Sequence, residues 1–162
     1  MIRHRIHLRY EVTNLTGLPK VEQMIEDGLI NLLSYMDHTP GQGQFARPGT
    51  YEAYVEKTYG TNGEEASELI GKLKEWQLKV DWAALRVLAE RARDKGIALA
   101  SHDDDSPAKV DFMMQCPLTI SEFPVNLETA IYARQMACTP SSERRISYAE
   151  ARTAATCALW TR

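Results

Sequence analysis

The segment Ala98-Leu99-Ala100-Ser101-His102-Asp103-Asp104-Asp105 constrains this chain most, because a short apolar run ends abruptly in a histidine followed by three acids. Parallel strands are covered on both faces and therefore read as apolar runs. In α/β barrel enzymes the chemistry collects at the carboxyl ends of such strands. A second segment repeats the design: Leu29 to Met36 is mostly apolar and runs into Asp37-His38-Thr39-Pro40-Gly41. Two strands that each end in Asp/His chemistry point to a metal site shared between strand ends.

The length, 162 residues, fits one ordinary domain and is too short for a complete (β/α)₈ barrel of about 250 residues. The net charge of -3 gives no global pull toward nucleic acid or an anionic membrane. No apolar run approaches the roughly 20 residues of a membrane span. The N-terminus, Met1-Ile2-Arg3-His4-Arg5-Ile6-His7, carries charges where a secretory signal is apolar. A cytoplasmic protein is expected, binding neither nucleic acid nor membrane. Cys116, Cys138 and Cys157 are too few and too scattered for a disulfide framework or a paired-cysteine metal site.

Periodicity orders the elements. Residues 5–12 read as a strand, with His7, Arg9 and Glu11 on one face and Leu8, Tyr10 and Val12 on the other. Lys20 to Asp27 reads as a helix closed by Gly28, and residues 29–36 as the next strand. Residues 39–50 hold two prolines and three glycines and read as a loop. Helices follow over Tyr51 to Gly60 and Glu64 to Arg93, the second divided at Asp81. Trp76 and Trp82 fall among its apolar positions and are expected in the core. Ile97 to Ser101 reads as a strand, Ser106-Pro107 as the start of a helix running to Gln115, Leu118 to Glu122 as a strand, and Leu127 to Arg134 as a helix. This βαβ, helical insertion, βαβα order implies parallel strands joined by right-handed crossovers.

His38 and His102 are candidate metal ligands, since imidazole is the commonest neutral ligand and strand ends converge. The plainer alternative is that each merely shapes a turn. Glu11 ends the first strand on the polar face and is a candidate carboxylate ligand, or simply an exposed strand-end acid. Asp103 follows His102 and is the candidate catalytic or ligand-supporting acid. At least one of Asp103, Asp104 and Asp105 is expected at a helix N-terminus, where acids complement the dipole. Gln42 and Gln44, in a glycine-bearing loop, are candidate substrate contacts, a weak signal without lysine.

Four motifs occur in order: His7-Leu8-Arg9-Tyr10-Glu11, Met36-Asp37-His38-Thr39-Pro40-Gly41-Gln42 with Gln44-Phe45, Ala100-Ser101-His102-Asp103-Asp104, and Ile120-Ser121-Glu122-Phe123-Pro124. Together, over residues 3 to about 135, they resemble the phosphonate-metabolism diphosphatases of the amidohydrolase superfamily. The resemblance implies a partial TIM barrel, roughly the fourth to sixth or seventh βα units with a helical insertion. It implies hydrolysis of α-D-ribose 1-methylphosphonate 5-triphosphate with release of diphosphate, in the carbon–phosphorus lyase pathway. It also implies a divalent metal, zinc first, with Glu11 on the fourth-strand ligand position, His38 on the fifth and His102 on the sixth. The family's first-strand histidine pair, eighth-strand aspartate and β-sandwich have no counterpart in these 162 residues. A truncated chain, inactive alone, is therefore expected. The alternative is a non-enzymatic remnant that binds a metal, itself or a pathway protein; a small complete metal hydrolase ranks last.

Residues 136–162 read differently. Met136 to Ala151 is rich in Arg, Ser and Ala and lacks apolar periodicity. Back-translation with free choice of synonymous codons allows another frame to carry a Gly-Ala-Pro-Asn segment and an Arg-Gly-Gly-Ser-His-Ser-Gly-Asn loop, as the family would here. A one-nucleotide shift near the codons of Gln135 and Met136 is expected, leaving an aberrant tail without selected function.

Overall fold

Apolar alternation builds the sheet that carries the site. In the computed structural model, which describes residues 4–60 and 63–141, five strands form one sheet: β1 (His7–Glu11), β2 (Leu32–Met36), β3 (Ala98–His102), β4 (Ile120–Glu122) and β5 (Thr139–Ser141). They lie in chain order, every neighbouring pair parallel. Each parallel pair needs a crossover. These are α1 (Leu18–Glu26), then α2 (Thr50–Tyr59), α3 (Gly63–Gln77) and α4 (Trp82–Asp94) together, then α5 (Pro107–Met114) and α6 (Leu127–Gln135). The expectation of an α/β fold with parallel strands holds.

One face of the sheet is apolar because alternate residues face the helices. Tyr10 and Val12, Leu33 and Tyr35, and Leu99 pack with Val21 and Ile25 of α1, Leu85, Leu88, Ala89 and Ala92 of α4, and Met113 of α5. Tyr35 also donates its hydroxyl to the Leu85 carbonyl at 2.8 Å, so this buried ring satisfies its polar end. The opposite face carries His7, Arg9 and Glu11 from β1, Ser34 from β2, His102 from β3 and Glu122 from β4. The predicted alternation of β1 is observed.

Local chemistry sets the element ends. Asp81 divides the long helical stretch by capping α4, its carboxylate accepting from Ala84 N–H at 2.9 Å. Ser106 caps α5 and Pro107 opens it. Asn126 caps α6. Helix α1 starts earlier than predicted, at Leu18, since Pro19 suits a first helical turn.

Two expectations are corrected. None of the three aspartates lies in the first turn of α5; Ser106 already satisfies that end, leaving the acids for other partners. Trp76 is 44% exposed, because α3 buries only Ala66 and Ile70. A fifth strand, β5, pairs with β4 at the start of the segment that lacks apolar periodicity; Ala133 and Cys138, both buried, pack beside Val110 and hold it. Of the tail over residues 136–162, the part from residue 142 onward lies outside the described residues. Among the described residues no helix is long and apolar enough to cross a membrane.

Candidate metal centre

The strand register brings the polar ends together. Glu11 is paired with Met36, two residues before His38, and His102 is paired with Glu122. Glu11, His102 and Glu122 each end their strand, so three carboxyl ends and the turn after β2 meet at one rim.

His38 leaves β2 through a turn fixed by Asp37. One Asp37 oxygen accepts from the Thr39 N–H and hydroxyl at 3.1 and 2.5 Å, and the other accepts from Gln77 at 3.1 Å. Asp37 is thereby spent on structure, and His38 faces the rim. Its Nδ1 donates to Glu11 Oε2 at 2.7 Å, and its backbone N–H donates to Glu11 Oε1 at 3.1 Å. A carboxylate only accepts, so Nδ1 carries a proton, and in the neutral ring the lone pair is on Nε2. That lone pair lies 3.7 Å from Asp103 Oδ2. The hydrogen bond to Glu11 holds the His38 pKa above the ordinary imidazole value. Burial and Arg9 oppose it, while the charges of Glu11 and Asp103 add to it.

His102 is fixed from both sides. Its Nδ1 lies 3.0 Å from Glu122 Oε2, and Arg9 Nη2 lies 2.8 Å from its Nε2. The carboxylate can only accept and the guanidinium can only donate. Both partners therefore demand the same tautomer, with the proton on Nδ1 and the lone pair on Nε2. Ser34 donates to the same Glu122 oxygen at 3.0 Å and accepts from His7 Nε2 at 2.5 Å. Burial pushes the Glu122 carboxyl up. The hydrogen bonds from His102 and Ser34 and the neighbouring imidazoles outweigh it, leaving the carboxyl below its usual value.

Asp103 completes the cluster. It is 8% exposed and holds a left-handed backbone, φ 52°, a conformation that costs a non-glycine residue of order 1 kcal/mol or more and concentrates at functional sites. Its backbone N–H donates to the Glu122 carbonyl at 2.9 Å. Its Oδ1 lies 3.5 Å from His102 Nε2, while its buried Oδ2 has no hydrogen-bond partner. Gly43 presses against it: a β-carbon there would sit 2.8 Å from the Asp103 β-carbon. The Gly43 N–H is held by Asp105 Oδ2 at 2.9 Å.

The ligand atoms of His38, His102 and Asp103 all lie within 4.8 Å of one another. Both imidazoles turn their Nε2 toward this point, and each has its Nδ1–H on a carboxylate, the arrangement that orients histidine ligands in metal proteins. Two imidazoles and a carboxylate are a donor set that suits zinc. The rings stand edge to face, centroids 5.3 Å apart.

The remaining sequence candidates sort by position. Glu11 stands behind His38 rather than in the three-residue cluster. The Gln42 side-chain oxygen accepts from Lys109 at 3.1 Å, and Gln44 is exposed. Asp104 is fully buried below the rim, where one oxygen takes hydrogen bonds from Ser101 and Ser121. Burial holds its pKa up against those bonds. Sequence reasoning did not find Glu122 or Arg9. The signal lay in the strand-end position of Glu122 and the shared face of Arg9 and Glu11.

Over 134 residues, 82% of its length, the chain is 34% identical to alpha-D-ribose 1-methylphosphonate 5-triphosphate diphosphatase of Escherichia coli (strain K12). The chain is a homologue of that diphosphatase. It spans 35% of the length of that relative. No protein-family model matches the chain, and no solved structure matches it. The similarity agrees with the resemblance carried by the four strand-end motifs, which include Glu11, His38, His102, Asp103 and Glu122.

Proposed function

We propose that this chain carries part of the metal centre of a phosphohydrolase, one that releases diphosphate from α-D-ribose 1-methylphosphonate 5-triphosphate in phosphonate breakdown. The observation that carries the reading is the buried, unpartnered Asp103 Oδ2 with His38 Nε2 at 3.7 Å, while His102 Nε2 lies 3.5 Å from the other oxygen of the same carboxylate. Such an oxygen is costly to bury without a partner, and a divalent cation, zinc first, removes that cost. The name of the homologue supplies the substrate class. The chain is read as a portion of such an enzyme, an arc of its barrel.

His38, His102 and Asp103 hold the ion in this reading, with Glu11 and Glu122 fixing the two histidine tautomers. A divalent ion held there would supply charge neutralisation for the phosphoric anhydride and a more acidic water. The Asp103 carboxylate accepts the proton of the attacking water, and Gln44 and Gln42, whose side-chain oxygen and not its N–H₂ group is engaged by Lys109, donate amide N–H groups to phosphate oxygens. Two-metal phosphohydrolases need ions about 3.5–4 Å apart. The described residues supply one three-ligand set, so hydrolysis by this chain alone is expected to be slow or absent.

A second reading, a partner-binding or self-associating remnant, is favoured by the apolar side chains Val125, Leu127 and Ile131, each more than 40% exposed. Pathway proteins or a second copy would cover them.

The test is a zinc titration of the purified chain with turnover followed by phosphorus NMR. One equivalent of zinc, lost in His38→Ala and His102→Ala, with little turnover is the expected result. Absence of stoichiometric metal overturns the metal-centre reading; turnover matching the longer homologue overturns the inactivity.

A further inference from the structure

We propose that Arg9 is a gate on the metal centre: it competes with the ion for His102 Nε2 and is drawn off by a phosphoryl oxyanion. The proposal rests on the metal-centre reading. It starts from a geometric conflict. His102 belongs to the three-residue cluster and its Nε2 lies 3.5 Å from Asp103 Oδ1, yet Arg9 Nη2 donates to that same Nε2 at 2.8 Å. One lone pair cannot serve a guanidinium and a metal ion at once. The two cations also repel each other at contact distance.

Arg9 is weakly held where it stands. Its Nη2 partner is a neutral imidazole, and its Nε donates to the Met36 thioether sulfur at 3.1 Å, a poor acceptor. Among the described residues no ion pair includes Arg9, although carboxylates crowd the rim. Those carboxylates are already engaged: Glu11 by His38, and Glu122 by His102 and Ser34. Arg9 is exposed and has solvent to swing into. A planar guanidinium without a counter-ion at the edge of a metal cluster is a site for a tetrahedral oxyanion, which it grips through two parallel N–H donors. Such charge-assisted pairs are about twice as strong as neutral ones. A phosphoryl group at the rim therefore outcompetes His102 for Arg9, frees Nε2 and removes the repulsion.

The consequence is coupling. Oxyanion and metal each favour the other's binding through one side chain, and the effect must be reciprocal. Substrate of the triphosphate class would thus load its own metal, while the oxyanion-free chain would hold the ion loosely. The class of ligand is phosphoryl oxyanion, with sulfate as a soluble stand-in.

The experiment measures cobalt(II) binding by visible absorption, with and without sulfate, for the wild-type chain, Arg9→Met and His102→Ala. Arg9→Met is expected to bind cobalt about tenfold more tightly than wild type. Sulfate is expected to tighten wild type severalfold and to leave Arg9→Met unchanged. Arg9→Gln, which keeps a polar side chain, should shift in the same sense and replaces the methionine variant if that one misfolds. Loss of the metal signal in His102→Ala with no change in either Arg9 variant overturns the gate while sparing the metal centre. Cobalt affinity in His102→Ala equal to wild type overturns the metal centre itself. An equal sulfate response in wild type and Arg9→Met overturns the coupling.

Discussion

Replacing Glu122 with glutamine tests the centre most sharply, because it changes one oxygen for one N–H₂ group. Glu122 Oε2 takes the His102 Nδ1–H at 3.0 Å and the Ser34 hydroxyl at 3.0 Å, and only 12% of its side chain is exposed. Glutamine keeps one acceptor for these two donors and adds donors that find none. If its N–H₂ group faces His102, the imidazole must move its proton to Nε2, where Arg9 also donates. Either the ring loses its carboxylate partner or it opposes a donor with a donor. Loss of such a supporting partner costs about 10–100-fold in metal affinity, or about 1.4–2.7 kcal/mol. The assay is zinc titration of Glu122→Gln beside wild type, with nitrogen NMR of the His102 ring to read its tautomer. A metal affinity within threefold of wild type, with Nδ1 still protonated, refutes the argument that Glu122 sets this lone pair.

Three further perturbations probe the scaffold. Gly43→Ala places a β-carbon 2.8 Å from the Asp103 β-carbon at φ +53°; the strain is of order 1–3 kcal/mol, read as a melting temperature lower by roughly 2–4 °C per kcal/mol together with weaker zinc binding. Because His38 has a raised pKa, protons compete for its Nε2 from above the ordinary imidazole value of about 6.5; zinc affinity should fall as pH drops through that range, and Glu11→Gln should move the fall to lower pH. Asp104 has a raised folded pKa, so its contribution is complete below the unfolded value of 3.8 and is lost as pH rises through the folded one; Asp104→Asn should remove that loss, visible as a smaller decline in melting temperature between acid and neutral pH, and an unchanged decline contradicts it.

Part of the cluster was legible because histidine after an apolar run marks a strand end: His38 and His102 follow from that pattern as ligand candidates and Asp103 as the adjacent acid, whereas Glu11, expected as a ligand, lies against His38 Nδ1 instead. Glu122 was quoted only as part of a motif. Its role depends on β4 lying beside β3 in the register that sets His102 opposite it, and no spacing along the chain encodes register. The three aspartates looked equivalent, yet Asp103 enters the site, Asp104 is buried against Ser101 and Ser121, and Asp105 holds Gly43. Their fates diverge because Asp103 turns the backbone left-handed, which no residue type announces. Trp76 followed helical spacing, but periodicity does not say whether another element covers the stripe. Strand β5, three residues of Thr139-Pro140-Ser141, offers no alternation long enough to read.

The excursion between β2 and β3 divides the chain in time as well as in space. β1 with β2, and β3 with β4, are joined by a single α-helix each, whereas β2 meets β3 only after α2, α3 and α4 have been passed. Closing a longer loop costs more entropy, about 0.6 kcal/mol per doubling, and non-local pairings slow folding. The two short units are thus expected to form before they dock. His38 belongs to the first unit and His102 and Asp103 to the second, so the cluster cannot exist until that docking is complete. In a refolding experiment, helical signal should rise first, and the capacity to take up metal should appear only with the last step.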